Sequence, residues 1–229
     1  MSGATATGQP IPAQMRVVGA TALALVASMV IQNVVVGVAG APDYAAPIDD
    51  VFAFHSEHRG AVAISVALEA LNVPLLLGFL AGLHGLIGRR GGVGGDWSRL
   101  ALAAGAVTAA VYALYAVLWI GVVLSADALS TPSPEFALVW QMHAAALALA
   151  LPALGATFMG AAVSAHGAGL TPQWQRLVGL IGGVLLIVGG MASLAIADGS
   201  ALLFVGIPGY FAWIVWLLVT GVRLVRARG

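Results

Sequence analysis

The chain consists of long apolar runs separated by short polar segments. A helix of roughly 20 apolar residues crosses a hydrocarbon core of about 30 Å. Runs of that length lie near residues 17–40, 61–87, 99–126, 137–165, 177–197 and 201–225. The pattern predicts an all-α fold, a polytopic integral membrane bundle of six transmembrane helices that forms a single domain over residues 17–229. Residues 1–16 are small and polar with two prolines, which predicts a flexible tail.

The two sets of ends of the predicted helices differ in charge. Hydrophobic residues make up 61% of the chain and charged residues 8%, which excludes an ordinary soluble domain. All basic residues are arginines, and those flanking one set of helix ends are Arg16, Arg89, Arg90, Arg99, Arg176, Arg223, Arg226 and Arg228. The acids flanking the other set are Asp43, Asp49, Asp50, Glu57, Asp127, Glu135 and Asp198.

This asymmetry predicts an orientation in the membrane. Short cytoplasmic loops carry the excess of basic residues, so both termini are expected in the cytoplasm. We therefore expect a multi-pass protein of a bacterial plasma membrane, with the lipid bilayer as its partner. Arginines scattered at helix ends match anionic headgroups, and they predict no nucleic-acid partner.

Missing residue types exclude several chemistries. The chain has no Lys and no Cys, so it cannot form a retinal or pyridoxal Schiff base, a disulfide or a thiolate-ligated iron–sulfur cluster. A pair of haems between His58 and His84 would need ligands about 39 Å apart along one helix, which exceeds the hydrocarbon core. No cofactor is expected.

One carboxylate interrupts the second apolar run. Glu69 lies about 12 Å from the external end of this predicted span. An ionisable side chain in a membrane helix costs about 2.5–3.5 kcal/mol on insertion, which makes it a functional candidate. Ser65 and Asn72 share its helix face. Pro74 leaves the carbonyl of Ala70 without its helical partner, which adds an acceptor beside this polar stripe.

Other spans carry polar side chains at a similar depth. Gln32 and Asn33 lie about 10–12 Å, His143 about 9 Å and Tyr210 about 13 Å below the external ends of their helices, and Tyr115 and Trp119 complete the layer. The inner halves of the helices, by contrast, are expected to be nearly pure Leu, Val, Ala and Gly. The layer predicts a pocket in the outer-leaflet half that binds or transports a small ligand, a cation or a proton from the external side. Its predicted lining is Glu69, His143, Asn33, Gln32, Asn72, Tyr210 and Ser65.

Two alternatives stay open. A membrane-embedded metal-dependent hydrolase would use Glu69 as its base and a metal held by His143 with His55 or His58. The stretch from His55 to His58 lacks the H-E-x-x-H spacing of helical zinc sites, so no metal and no enzymatic activity are the favoured expectations. A purely structural or partner-binding bundle, including a homo-oligomer, would use the same polar groups to hold its helices in register.

Loops and small residues complete the picture. The long external loop 41–60 mixes acids, histidines and aromatics, which predicts a partly ordered cap over the bundle. Loop 88–98 is rich in glycine but lacks the G-K-[ST] of a phosphate-binding loop, which predicts a linker. Pairs of glycines in span two (Gly78, Gly82) and span five (Gly179, Gly183) predict close helix packing.

The last two spans carry a family resemblance. The residues that carry it are Pro172, Trp174, Gly179, Gly182, Pro208, Trp216, Leu217, Leu218 and Gly221. They resemble a large bacterial six-helix membrane family catalogued as domain of unknown function four-three-eight-six, and Glu69 resembles an acidic position in that family's second helix. The resemblance implies the six-helix topology and no biochemical activity. The family often has an acid shortly after the proline of the last helix, where this chain has Ala212 and Trp213.

Overall fold

The structure is a computed structural model that describes residues 11–90 and 94–227. Within these residues every regular element is a helix. The helices are α1 (Ile11–Val38), α2 (Ile48–Glu57), α3 (Arg59–Arg89), α4 (Gly95–Ala128), α5 (Pro134–Gly167), α6 (Gln173–Met191), α7 (Ser193–Ala197) and α8 (Leu203–Arg226). Residues 1–10 of the predicted tail and 91–93 of the predicted linker lie outside the described residues.

Among the described residues, six helices are long and apolar enough to cross a membrane: α1, α3, α4, α5, α6 and α8. The all-α prediction and the six predicted spans are therefore confirmed. The boundaries differ most at two places. Helix α1 begins at Ile11, before the predicted start at residue 17, because residues 11–16 continue the same helix. The fifth span ends at Met191, and the remainder of the predicted run forms the short helix α7.

The six long helices form a closed ring. Each packs against the next in the chain, in the order α1, α3, α4, α5, α6 and α8, and α8 packs back against α1. Residues 39–58, which include α2, connect α1 to α3, and short connections make the later helices antiparallel neighbours. The helix ends near Asp43, Asp127 and Asp198 are called the acidic end below, and those near Arg90 and Arg223 are called the arginine end.

Small residues allow the close approach that the ring requires. A Cβ atom at Gly19 of α1 would lie 2.7 Å from the carbonyl oxygen of Gly221 of α8, so these two backbones are nearly in contact where the ring closes. The predicted glycine faces are confirmed as packing surfaces: Gly78 and Gly82 face α1, and Gly183 packs against α5, as does Gly179. Since lipid supplies no hydrophobic drive between helices, such close contact is the main source of their association.

The arginine half of the ring is tightly filled. Its core includes Phe79, Leu83, Phe158 and Trp216, each with at most 1% of its surface exposed. The expectation of nearly pure apolar inner halves is wrong, because buried or partly buried polar pairs join the helices there. These pairs are Thr108 with Thr157, Gln175 with Thr220, and His84 with Ser98.

Candidate functional site

A cavity of about 250 Å³ lies inside the ring, between α1, α3, α4, α5 and α8. Glu69 follows the first residue of α3 by ten positions, about 15 Å of helix, which places the cavity in the acidic half. Most of its wall is aliphatic. The aromatic residues that line it are Tyr112, Tyr115, Trp119, Tyr210 and Trp213.

Amide side chains hold the Glu69 carboxylate at the cavity wall. Glu69 is 6% exposed, and the Gln32 Nε2 atom donates a hydrogen bond to its Oε2 atom at 2.7 Å. The Asn72 Nδ2 atom donates in turn to the Gln32 Oε1 atom at 3.0 Å. Gln32 thus directs a donor at the carboxylate and Asn72 directs one at Gln32, and the buried Asn72 Oδ1 atom has no partner among the described residues. The Gln32 and Asn72 amide nitrogens therefore each direct one N–H at another protein atom.

Asn33 and Tyr210 join α1 to α8 at the rim of the cavity. The Asn33 Nδ2 atom donates to the Tyr210 hydroxyl at 3.0 Å and to the backbone carbonyl of Met29 at 2.8 Å. Both side chains line the cavity, and Asn33 is exposed. The structure thus brings together the predicted residues Glu69, Gln32 and Asn72 with this pair.

Two predicted site residues lie elsewhere. Ser65 is fully buried, but its hydroxyl donates to the carbonyl of Ala61 one turn earlier in α3, and the residue does not line the cavity. His143 also lies outside the lining. Helical spacing placed Ser65 on the correct face of α3, but its side chain satisfies its own backbone, as serines in helices commonly do.

His143 belongs to an aromatic cluster between the cavity and α2. Its ring stacks between Tyr115, at 4.2 Å between centroids, and Trp140, at 5.1 Å. The Tyr44 hydroxyl lies 3.2 Å from its Nδ1 atom. The Nε2 atom is buried and has no partner among the described residues. Tyr115 contributes to both the cavity wall and this cluster.

His55 fastens α2 to the bundle. Its Nε2 atom accepts a hydrogen bond from the Trp119 indole N–H at 3.1 Å, and its Nδ1 atom lies 2.7 Å from the Val51 carbonyl. Since an indole nitrogen can only donate, the His55 Nε2 atom carries no proton and the ring is neutral, with Nδ1 as its donor. Burial lowers the pKa of His55, and this effect exceeds the rise caused by the hydrogen bond to Val51.

Tyr44 connects the preceding loop to the same cluster. Burial raises the pKa of its hydroxyl, and the hydrogen bond with Tyr115 offsets that rise only in part. Tyr44 therefore stays protonated in the neutral range. The loop prediction of a partly ordered cap is confirmed, since α2 occupies residues 48–57 and packs against α4.

The histidines of the hydrolase alternative do not form a ligand set. Both nitrogens of His55 are engaged by the protein, and His58 stacks on Phe54 at 4.9 Å between centroids. Within residues 11–90 and 94–227, no group of three or more His, Cys, Asp or Glu side chains is close enough to hold a metal ion. The geometry gives Glu69 no metal partner.

Residues 16–221 match the family described as Domain of unknown function (DUF4386). The match covers most of the chain. The chain belongs to the DUF4386 family. Neither a curated protein nor a solved structure matches the chain.

In this DUF4386 protein most of the residues that carried the resemblance are packing residues. Trp216 and Leu217 are fully buried, and Gly182 lies where a Cβ atom would approach the Phe158 ring within 2.7 Å. Trp213, which occupies the region where the family often has an acid, is 1% exposed and lines the cavity.

Sequence reasoning missed three aromatic residues of this region. Tyr112 lies one turn before Tyr115 on α4, and Trp213 lies nearly one turn after Tyr210 on α8, so helical spacing from the predicted layer was the signal that pointed to both. No comparable signal existed for Tyr44, because the contacts of a loop residue depend on the path of the loop, which helical spacing does not predict.

Proposed function

We propose that the cavity binds a small organic cation, a protonated or quaternary amine with an apolar body, and that Glu69 is its anionic anchor. The observation that carries the proposal is the Glu69 carboxylate in a cavity wall whose other described residues are uncharged. Glu69 and Asn72 line this wall, and the Gln32 and Asn72 amide nitrogens each direct one N–H at another protein atom. A ligand with a positive charge or N–H donors complements this arrangement.

The aromatic wall supports a cationic ligand. Tyrosine and tryptophan rings attract a cation placed over their faces, by about 0.5–1 kcal/mol when exposed and about 2 kcal/mol or more when desolvated. Tyr112, Tyr115, Trp119 and Tyr210 line a space of about 250 Å³, which is slightly below the usual range of ligand pockets. The volume favours a small ligand over a lipid-sized one.

The surroundings favour binding over an open conducting path. Leu154 and Trp213 border the cavity on the side of the tightly packed core, in which Phe79 and Phe158 are fully buried. With the orientation predicted by the arginine distribution, the acidic end faces outward, and its acids would raise the local concentration of cations at the entrance. The hydrolase alternative has no support from the histidine positions described above.

The experiment compares choline with its neutral isostere, in which carbon replaces the quaternary nitrogen, by titration of tryptophan fluorescence in detergent. Trp119 and Trp213 line the cavity and supply the signal. We expect choline to bind more tightly than the isostere, and Glu69→Gln to weaken choline binding at least tenfold, about 1.4 kcal/mol. Glu135→Gln is the matched control, because Glu135 is an exposed acid near the same end.

The two variants separate a binding role from a structural one. Glutamine preserves the shape of Glu69 and accepts the Gln32 hydrogen bond, so the folded yield of Glu69→Gln should stay close to that of the parent. Equal choline affinity in Glu69→Gln and the parent, or equal affinity of the parent for choline and the isostere, would contradict the proposal and favour a structural bundle.

A further inference from the structure

A second concave region lies at the arginine end, on the opposite side of the tightly packed core. It is an open cleft of about 620 Å³ between the ends of α1, α3, α6 and α8. Its lining includes Arg90, Arg223 and Arg226, and it includes no Asp or Glu among the described residues. The cleft therefore concentrates positive charge without a protein counter-charge.

The three arginines converge from two separate helices. Arg223 and Arg226 both lie in the last turn of α8, at positions i and i+3, so they share a face of the helix. Arg90 follows the end of α3, where its side chain donates to the carbonyl oxygen of Ala168 at 3.3 Å and contacts the Met15 sulfur at 3.6 Å. None of the three forms a salt bridge within residues 11–90 and 94–227. A guanidinium has five N–H donors, and two of those of Arg90 have partners among the described residues.

Helix α6 adds a further positive element. Its first residues lie at the cleft, and its N-terminus at Pro172 has no side-chain cap. The unsatisfied N–H groups of a helix N-terminus carry a partial positive charge and attract anions. The preference of cations for helix C-termini accounts for Arg223 and Arg226 on α8, but it does not account for their convergence on an uncapped N-terminus.

The remaining lining is mostly apolar, with Gln175 as its polar residue, and lies at the membrane boundary. Leu170, Val219, Val222 and Leu224 line the cleft together with Trp174. The Trp174 side chain is 48% exposed, as is typical of an indole at the headgroup level. A ligand in this cleft would meet arginines at one end and hydrocarbon at the other.

We infer that the cleft is a binding site for a phospholipid with an anionic headgroup. Its phosphate would accept hydrogen bonds from Arg90, Arg223 and Arg226 and lie near the start of α6, while its acyl chains follow Val219 and Val222 along α8. Arginine recognises phosphate with paired donors, and basic clefts between membrane helices are suited to anionic headgroups. This site is independent of the cavity at Glu69.

The test is a lipid titration followed by native mass spectrometry of the detergent-purified protein. Phosphatidylglycerol is compared with phosphatidylcholine of the same acyl chains. We expect tighter binding of phosphatidylglycerol, and a loss of about fivefold in its affinity for each arginine removed. The double variant Arg223→Gln/Arg226→Gln should therefore bind it about 30-fold more weakly, and Arg90→Gln about fivefold more weakly.

Controls distinguish a built site from general surface charge. Arg99 lies at the same end but outside the cleft, paired with Asp96 and 75% exposed, so Arg99→Gln should keep the parent affinity within twofold. Arg90→Gln changes the end of α3 and leaves α8 intact, so it tests the site even where the double variant on α8 folds poorly. Equal binding of the two lipids by the parent, or an equal loss in Arg99→Gln, would overturn the proposal. Displacement of the lipid by inorganic phosphate alone would show a free-anion site and would also overturn it.

Discussion

Lowering the pH should release the cap helix α2 through protonation of His55. In the folded protein the His55 Nε2 atom accepts the Trp119 N–H, so a proton on that nitrogen would place two donors against each other. Burial lowers the pKa of His55 from its ordinary value of 6.5. The unfolded or undocked helix takes up a proton near pH 6.5, whereas the docked one does not. The docked state is therefore favoured fully above pH 6.5 and loses stability as the pH falls below it.

The size of the effect on α2 docking follows from the uptake of one proton by His55 in the undocked state. The slope is at most about 1.4 kcal/mol per pH unit between the undocked and docked pKa values. Between pH 7.5 and pH 5.5 the docking equilibrium of α2 should thus weaken by about 1.4 kcal/mol, or about tenfold, if His55 stays neutral over this interval. The hydrogen bond from Trp119 is the contact that would be lost first.

Hydrogen–deuterium exchange of the α2 amides, corrected for the intrinsic effect of pH, measures this equilibrium. We expect about tenfold lower protection at pH 5.5 than at pH 7.5 in residues 48–57, and no comparable change in α8. His55→Gln is the matched variant, because its amide oxygen can accept from Trp119 but does not titrate. An identical pH dependence in the parent and in His55→Gln would refute the reasoning.

Two further changes test the ring and its surface. Gly19→Ala should lower stability by about 1–3 kcal/mol, because its Cβ atom would lie 2.7 Å from the Gly221 carbonyl oxygen. Thermal unfolding measures this loss. The control Gly37→Ala, whose Cβ atom would meet nothing within 4 Å, should show no such loss. Asp127→Asn breaks the ion pair with Arg59, whose side chain is 62% exposed. It should change stability by less than about 1 kcal/mol, and a larger loss in thermal unfolding would show that this exposed pair between α3 and α4 contributes more than surface pairs usually do.

Sequence patterns were sufficient for the spans and for part of the site. Apolar length defines a membrane helix, and helical spacing placed Asn72 on the face of Glu69. The depth of each residue below the external end of its helix also placed Gln32 and Tyr210 at the cavity. Residues at equal depth in neighbouring helices lie in the same layer of the membrane. Depth does not specify how each helix is rotated, however, and so it could not show that His143 lies outside the cavity lining while Tyr115 belongs to it.

The closure of the ring and the arginine cleft depend on contacts distant in the chain. The approach of Gly19 to Gly221 joins the first helix to the last, and no local pattern pairs them. Arg90 and Arg223 likewise share a cleft only because α3 and α8 both flank α1. Their sequence environment indicates an interface position for each arginine separately, and the common site emerges from the ring.

Helix α4 connects the cap and the cavity physically. Trp119 lines the cavity and donates to His55 of the cap helix, and Tyr115 lines the cavity and stacks on His143. A ligand that repositions either ring therefore changes the contacts that hold α2, and undocking of α2 changes the cavity wall. Such coupling is reciprocal by thermodynamic necessity. A ligand that prefers the docked state must stabilise the docking of α2 by the same factor by which docking strengthens ligand binding. Protonation of His55 at low pH, which releases α2, would therefore weaken ligand binding although Glu69 keeps its place on α3.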